Sequence, residues 1–97
     1  MLPIFTDTFR KRIPWNSIYP TTAGTYTSVG GLIVMIVQLN GSTLTTATAT
    51  VTVNGATVFN VSATSSQTQP AVFWTDPGDT IVITLTNATF VEGWIVR

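Results

Sequence analysis

Thr46-Ala47-Thr48-Ala49-Thr50-Val51-Thr52-Val53-Asn54-Gly55-Ala56-Thr57-Val58-Phe59-Asn60-Val61-Ser62 reads as two β-strands folded about Asn54-Gly55. Side chains alternate between the faces of a strand, so each candidate loop length makes a definite statement about which residues share a face. A two-residue Asn54-Gly55 loop pairs Thr50 with Phe59 and Thr48 with Val61, mixing polar and apolar groups. A three-residue loop, Val53-Asn54-Gly55, pairs Ala49 with Phe59, Ala47 with Val61 and Val51 with Thr57, and gathers Thr46, Thr48, Asn60 and Ser62 on the other face. It also places Gly55 at the left-handed third position of a type I turn with a bulge. The three-residue loop is therefore the expected one.

The same texture continues on both sides. Residues rich in Thr, Val, Ile and aromatics, broken at short intervals by Gly, Asn and Pro, predict strands near Thr25–Ser28, Leu32–Leu39, Leu44–Thr52, Ala56–Ala63, Ala71–Trp74, Thr80–Thr86 and Phe90–Val96. No helix is required. Seven short strands at this spacing predict an all-β domain, a small antiparallel β-sandwich or jelly-roll-like barrel, over residues 23–97. For the last two strands, an Asn87-Ala88-Thr89 loop aligns Leu85 with Val91, Ile83 with Gly93 and Ile81 with Ile95 as a core face. Val82 then lies beside Trp94 on the opposite face, an outward apolar pair of the kind found at interface anchors. The run Leu32-Ile33-Val34-Met35-Ile36-Val37 lacks alternation, which predicts a strand covered on both faces.

Residues 1–22 differ from the rest. They hold Pro3, Pro14 and Pro20, the basic cluster Arg10-Lys11-Arg12, and Phe5, Phe9, Trp15 and Tyr19. The prolines restrict the backbone and remove hydrogen-bond donors, so this stretch is expected to be an extended N-terminal arm. Its large aromatics need a surface to cover, either the domain's own sheet or a neighbour's.

The 97-residue chain is the size of one domain and contains neither cysteine nor histidine. That removes disulfides, thiolates, imidazole acid–base chemistry and the usual zinc ligands together. Only 8% of residues are Asp, Glu, Lys or Arg, the net charge is zero, and none of these four types lies between Ile13 and Thr75. A monomer usually keeps a charged surface to resist association, so a neutral, Thr-rich surface predicts burial against partners. The longest apolar run is far short of the roughly 20 residues of a spanning helix. Asp7 and Pro3 sit where a signal peptide has a basic start and an apolar stretch, so the chain is expected to act without export or after loss of a leader.

Candidate chemistry is sparse. Asp76-Pro77-Gly78-Asp79 offers two carboxylates where calcium takes six to eight oxygens, and is ordinary turn chemistry. Without histidine a hydroxyl nucleophile would depend on Lys11, so no enzymatic activity and no cofactor or metal are expected. Arg10-Lys11-Arg12 beside Phe9 and Trp15 is short for a nucleic-acid site and is expected to anchor on an acidic protein surface. Asn40-Gly41-Ser42, Asn60-Val61-Ser62 and Asn87-Ala88-Thr89 match the glycosylation pattern, as chance provides in a chain this rich in Ser and Thr.

The aromatic, Pro-containing arm, the Thr/Val/Ala-rich body, and the ending Pro77-Gly78-Asp79-Thr80-Ile81-Val82-Ile83 through Gly93-Trp94-Ile95-Val96-Arg97 resemble small virion accessory proteins of bacteriophages, of the head decoration or cementing type. The resemblance implies a homo-oligomer, with trimers favoured, that clamps neighbouring capsid subunits with its arm inside a virion; from charge and hydropathy, neither nucleic acid nor membrane is expected as a partner. The residues expected to meet partners are Phe5, Phe9, Arg10, Arg12, Trp15, Tyr19, Val82 and Trp94. The rival expectation is a carbohydrate-binding or adhesin module in which Trp74 and Trp94 stack on sugar rings.

Overall fold

A computed structural model describes residues 11–97. They form eight strands, β1 (Arg12–Pro14), β2 (Gly24–Thr27), β3 (Gly31–Asn40), β4 (Ala47–Val53), β5 (Ala56–Ala63), β6 (Ser66–Thr75), β7 (Thr80–Thr86) and β8 (Ala88–Val96), with one 3-10 turn at Trp15–Ser17. Two antiparallel four-stranded sheets pack face to face, sheet A in the order β1-β8-β3-β6 and sheet B in the order β2-β7-β4-β5. β1 faces β8 and β3 faces β6 in one sheet, while β2 faces β7 and β4 faces β5 in the other. These are the nested pairs of one long hairpin rolled over on itself, the topology of a jelly roll. The β-sandwich expected from the sequence is present, with eight strands in place of seven.

The core lies between the sheets. Ile33, Met35, Val37 and Leu39 point inward from β3, Ala71 and Phe73 from β6, and Phe90 and Ile95 from β8. Sheet B answers with Ala47, Ala49 and Val51 on β4 and Ile81 and Ile83 on β7. The alanines of β4 leave room for the larger side chains opposite, as close packing of two sheets requires. One buried polar pair interrupts the hydrocarbon. Thr75 donates from Oγ1 to the Gly31 carbonyl (3.0 Å) and lies 2.7 Å from Ser28 Oγ, which in turn accepts from the Gly30 amide at 2.9 Å. Both hydroxyls are thereby satisfied, which removes the penalty of burying them.

Four expectations change. First, the central hairpin does turn on two residues. Asn54 (φ 51°) and Gly55 (φ 84°) both occupy the left-handed region, as a type I′ turn demands, and Val53 pairs with Ala56. The polar and apolar faces are still sorted, because Val58 is an extra, unpaired residue: Thr52 meets Thr57, but Val51 meets Phe59 and Ala49 meets Val61. A β-bulge thus does the sorting assigned above to a longer loop.

Second, β7 and β8 are not a hairpin. They belong to different sheets, joined through Asn87 at φ 50°. Ile81, Ile83 and Ile95 do enter the core, but from opposite sides, and Val91 is 51% exposed.

Third, strand bounds shift. Leu44 is 97% exposed at the tip of a tight turn closed by Ser42 and Thr45, so β4 begins at Ala47. β6 is much longer than Ala71–Trp74, because Ser66–Gln69 completes the ladder along β3.

Fourth, the expected boundary at residue 22 is displaced. β1 is an edge strand of sheet A, and Lys11 and Arg97 exchange backbone hydrogen bonds. Residues 11–22 are part of the sandwich.

The physical reason for the last change is Trp15. β1 and β2 are the edges of the two sheets on one flank, and the connection between them carries the Trp15 ring into the gap. The ring is fully buried, with centroids 4.5 Å from Tyr19, 5.3 Å from Tyr26 and 5.3 Å from Phe90. Its Nε1–H donates to the Pro20 carbonyl at 2.9 Å, the polar partner a buried indole needs.

Candidate interaction face on sheet A

The two outer faces of the sandwich are chemically different. On sheet B the strands present Thr48, Thr50 and Thr52 from β4, Thr80, Thr84 and Thr86 from β7, and Asn60 and Ser62 from β5, in cross-strand rows such as Thr84-Thr50-Asn60. Thr50 Oγ1 donates to Asn60 Oδ1 at 3.2 Å. Two valines interrupt this field of hydroxyls: Val82 is half-buried between Thr25 and Thr52, and Val58, the unpaired residue of the β5 bulge, is 40% exposed.

Sheet A differs along its length. Its first row across the strands is Arg12-Val96-Leu32-Trp74, its second Pro14-Trp94-Val34-Val72, and its third Glu92-Ile36-Pro70. Beyond these come Thr89-Gln38-Thr68 and Asn40-Ser66, with Gln38 tied to Ser66 and Thr68 by hydrogen bonds. One half of the face is therefore polar and internally bonded, and the other is an almost unbroken apolar surface. Val72 and Trp74 remain 59% and 56% exposed. Single exposed apolar residues are normal on proteins, but contiguous apolar patches mark interaction sites.

Local sequence explains the patch. Leu32 to Val37 sends every second side chain into the core, so Leu32, Val34 and Ile36 are left on the outside of a central strand. Pro70 and Pro14 sit on edge strands, where a missing amide hydrogen is tolerated. In β8 a bulge at Val91 shifts the register, since Glu92 faces Ile36 but Phe90 faces Val37. Phe90 is thereby turned into the core and Val91 and Glu92 outward. Beside the bulge lies a depression of about 190 Å³ lined by Pro14, Asn16, Thr21, Val91, Glu92, Gly93 and Trp94.

The rim at the Trp74 end is held by the β6–β7 turn. Trp74 Nε1 donates to Asp76 Oδ1 at 2.9 Å, which fixes the indole at the edge of the patch. The Asp79 carboxylate accepts from the Asp76 amide and from Asn54 Nδ2, both at 2.8 Å, joining this turn to the β4–β5 turn. The Asp76 amide first, and Asn54 second, hold the Asp79 carboxyl below its ordinary range against a smaller opposing effect of burial. A depressed folded-state value adds stability that is present above the unfolded-state pKa of about 3.9 and is lost as the pH falls through the folded value. Urea melts between pH 7 and pH 2.5 are expected to show Asp79→Asn less stable than the parent at neutral pH, with the gap closing in acid. A gap that stays constant with pH would mean that the charge contributes nothing.

The expected partner residues are scattered by this fold. Arg12 and Trp94 lie on the apolar face. Val82 is on the other sheet, so it does not sit beside Trp94. Trp15 is corrected outright: it is core, and unavailable to a partner. Tyr19 is likewise occupied, since its hydroxyl donates to the Thr27 carbonyl (2.7 Å) and accepts from the Val29 amide (3.1 Å). Phe5, Phe9 and Arg10 lie outside the described residues. Val34 falls in the Leu32–Val37 run noted in the sequence, but Val72 and Pro70 stand outside it, although the alternation Pro70, Val72, Trp74 outward against Ala71, Phe73, Thr75 inward is legible in the sequence. Among the described residues no cluster of acidic side chains could hold a metal ion. The chain matches no protein-family model and no curated protein in sequence.

Proposed function

We propose that this protein is a structural subunit of a virus particle, without catalytic chemistry of its own, that works by packing the apolar half of sheet A against neighbouring protein subunits. The observation that carries the reading is the sidedness of the sandwich. Three consecutive rows of sheet A expose Leu, Val, Ile, Pro and Trp, while sheet B presents mainly Thr, Asn and Ser, with Val58 and Val82 as separate apolar side chains. A jelly roll is a frequent architecture of capsid proteins, which supports the reading by analogy only. The scarcity of charge supports it independently, because a surface covered in an assembly has no need of charge for solubility.

Hydroxyl-radical footprinting tests this on the full chain, dilute and in its assembled state. Trp74 and Trp94 are expected to be oxidised readily when dilute and to be protected on assembly, with Trp15 unreactive throughout as an internal control. Equal oxidation of Trp74 and Trp94 under all conditions, together with an unchanging monomer mass, would overturn the proposal. The depression beside Trp94 favours one second reading. A sugar ring stacked on that indole could bond to Asn16, Thr21 and Glu92, and saturable quenching of tryptophan fluorescence by a glycan would reveal it.

A further inference from the structure

We infer that the partner of the apolar half of sheet A is a second copy of the same half-face, related by a two-fold axis that lies between the two faces, parallel to the sheet and at right angles to the strands, over the second row. This rests on the reading of the face as an interface and specifies its occupant. Such an axis leaves each strand over its own counterpart and exchanges the first row with the third. Leu32 then meets Ile36 of the other copy, and Trp74 meets Pro70, a flat ring against a flat ring. The middle row, with Trp94 and Val34, meets itself. An interface of this kind is isologous and closes at two subunits.

The charges on the face select this axis over the alternative. Among the described residues the apolar rows carry two ionic side chains, Arg12 at the β1 edge of the first row and Glu92 in the third row on β8. Exchange of first and third rows brings Glu92 of one copy over Val96 of the other, one strand from Arg12, and the symmetry makes the same contact twice. A two-fold axis parallel to the strands would instead place Arg12 over Trp74, whose indole is bonded to Asp76, and Glu92 over Ile36, leaving the Glu92 carboxylates without an ionic counterpart. Burying an unpaired charge is costly, and like or missing charges are how interfaces reject wrong registers.

Size sets the strength. Three rows on four strands cover about 400 Å² per copy from strand spacing and rise, below the ~800 Å² per partner of a standard stable interface. Pairing is therefore concentration-dependent in isolation and is reinforced where many copies are held together.

Sedimentation equilibrium of the full chain over a wide concentration range is the experiment, with circular dichroism confirming that each variant is folded. A monomer–dimer equilibrium is expected. Arg12→Glu alone and Glu92→Arg alone should each weaken it about tenfold, because each puts two like-charged pairs in the interface. The double variant R12E/E92R should recover to near the parent value, which a merely structural role of either residue would not produce. Val72→Asp, an exposed edge-strand position, should leave a monomer. A trimer, a monomer at every concentration, or a dimer indifferent to the charge reversals would each overturn this pairing. Protection of Trp74 and Trp94 in an assembly that shows no charge-reversal pattern would leave the broader function standing and remove only the two-fold arrangement.

Discussion

Replacing Trp15 by alanine is expected to lower the folding free energy by about 3–5 kcal/mol, a large share of the stability of a domain whose total is on the order of 5–15 kcal/mol. The ring is fully buried between the open edges of the two sheets and touches Tyr19, Tyr26 and Phe90. These neighbours cannot collapse together into the cavity, because Tyr26 and Phe90 sit on strands held in different sheets and the Tyr19 hydroxyl is tied to the backbone of Thr27 and Val29. The indole also satisfies the Pro20 carbonyl, so Trp15→Phe should cost less than alanine but more than nothing, about 1–2 kcal/mol for the lost bond and volume. Urea denaturation followed by circular dichroism checks both. Trp94→Ala, on the outer face, is the control and should stay within about 1 kcal/mol of the parent. If Trp15→Ala melted like Trp94→Ala, the flank would not be closed by this residue.

The second large effect is expected at Gly41, where the β3–β4 connection passes the β5–β6 connection. A Cβ placed on Gly41 would run into the Ala63 carbonyl oxygen and lie 2.8 Å and 2.9 Å from the backbone oxygen and nitrogen of Ser65. All three are main-chain atoms of a second crossover, so no side chain can swing aside and one connection must move. Gly41→Ala is expected to cost about 3 kcal/mol, at the upper end for overpacking. Gly55 provides the contrast. A Cβ there meets open space, and only its φ of 84° opposes alanine, so Gly55→Ala should cost about 1 kcal/mol. Equal losses at the two sites would show that the crossovers are not in contact as described.

Part of this architecture is readable from residue order. The Thr/Ala alternation of β4 and the apolar run of β3 identify strands, and they also state which of their residues face inward, because the period of two is a property of the extended backbone. The division of the hairpin into an Ala47-Ala49-Val51 face and a Thr face survives even though the turn is shorter than expected. Pattern specifies faces, and a bulge is an inexpensive way to reconcile a face with a turn. The Asp76-Pro77-Gly78-Asp79 turn is equally local, with the Asp79 amide bonded to the Asp76 carbonyl at 3.1 Å.

The interaction face is legible only in fragments. Trp94 and the Leu32–Val37 run stand out in the sequence, yet the row that joins Trp94 to Val34 and Val72 depends on β8 and β6 both lying beside β3, a choice made between segments dozens of residues apart. Pairing β7 with β8 looks reasonable because both strands alternate correctly and the connection is short. In the folded chain each finds a longer partner elsewhere, β7 along β4 and β8 along β3.

Trp15 makes the same point in reverse: an aromatic among prolines resembles a docking anchor until the gap it fills exists. Alternation, turn chemistry and the shortage of charge are written into neighbouring residues, and from them the all-β class and the inward faces follow. Which strands become neighbours, which aromatic is swallowed and which is left outside are settled by the way two sheets close over one core. Burial is a property of surfaces that come into being only when distant segments meet.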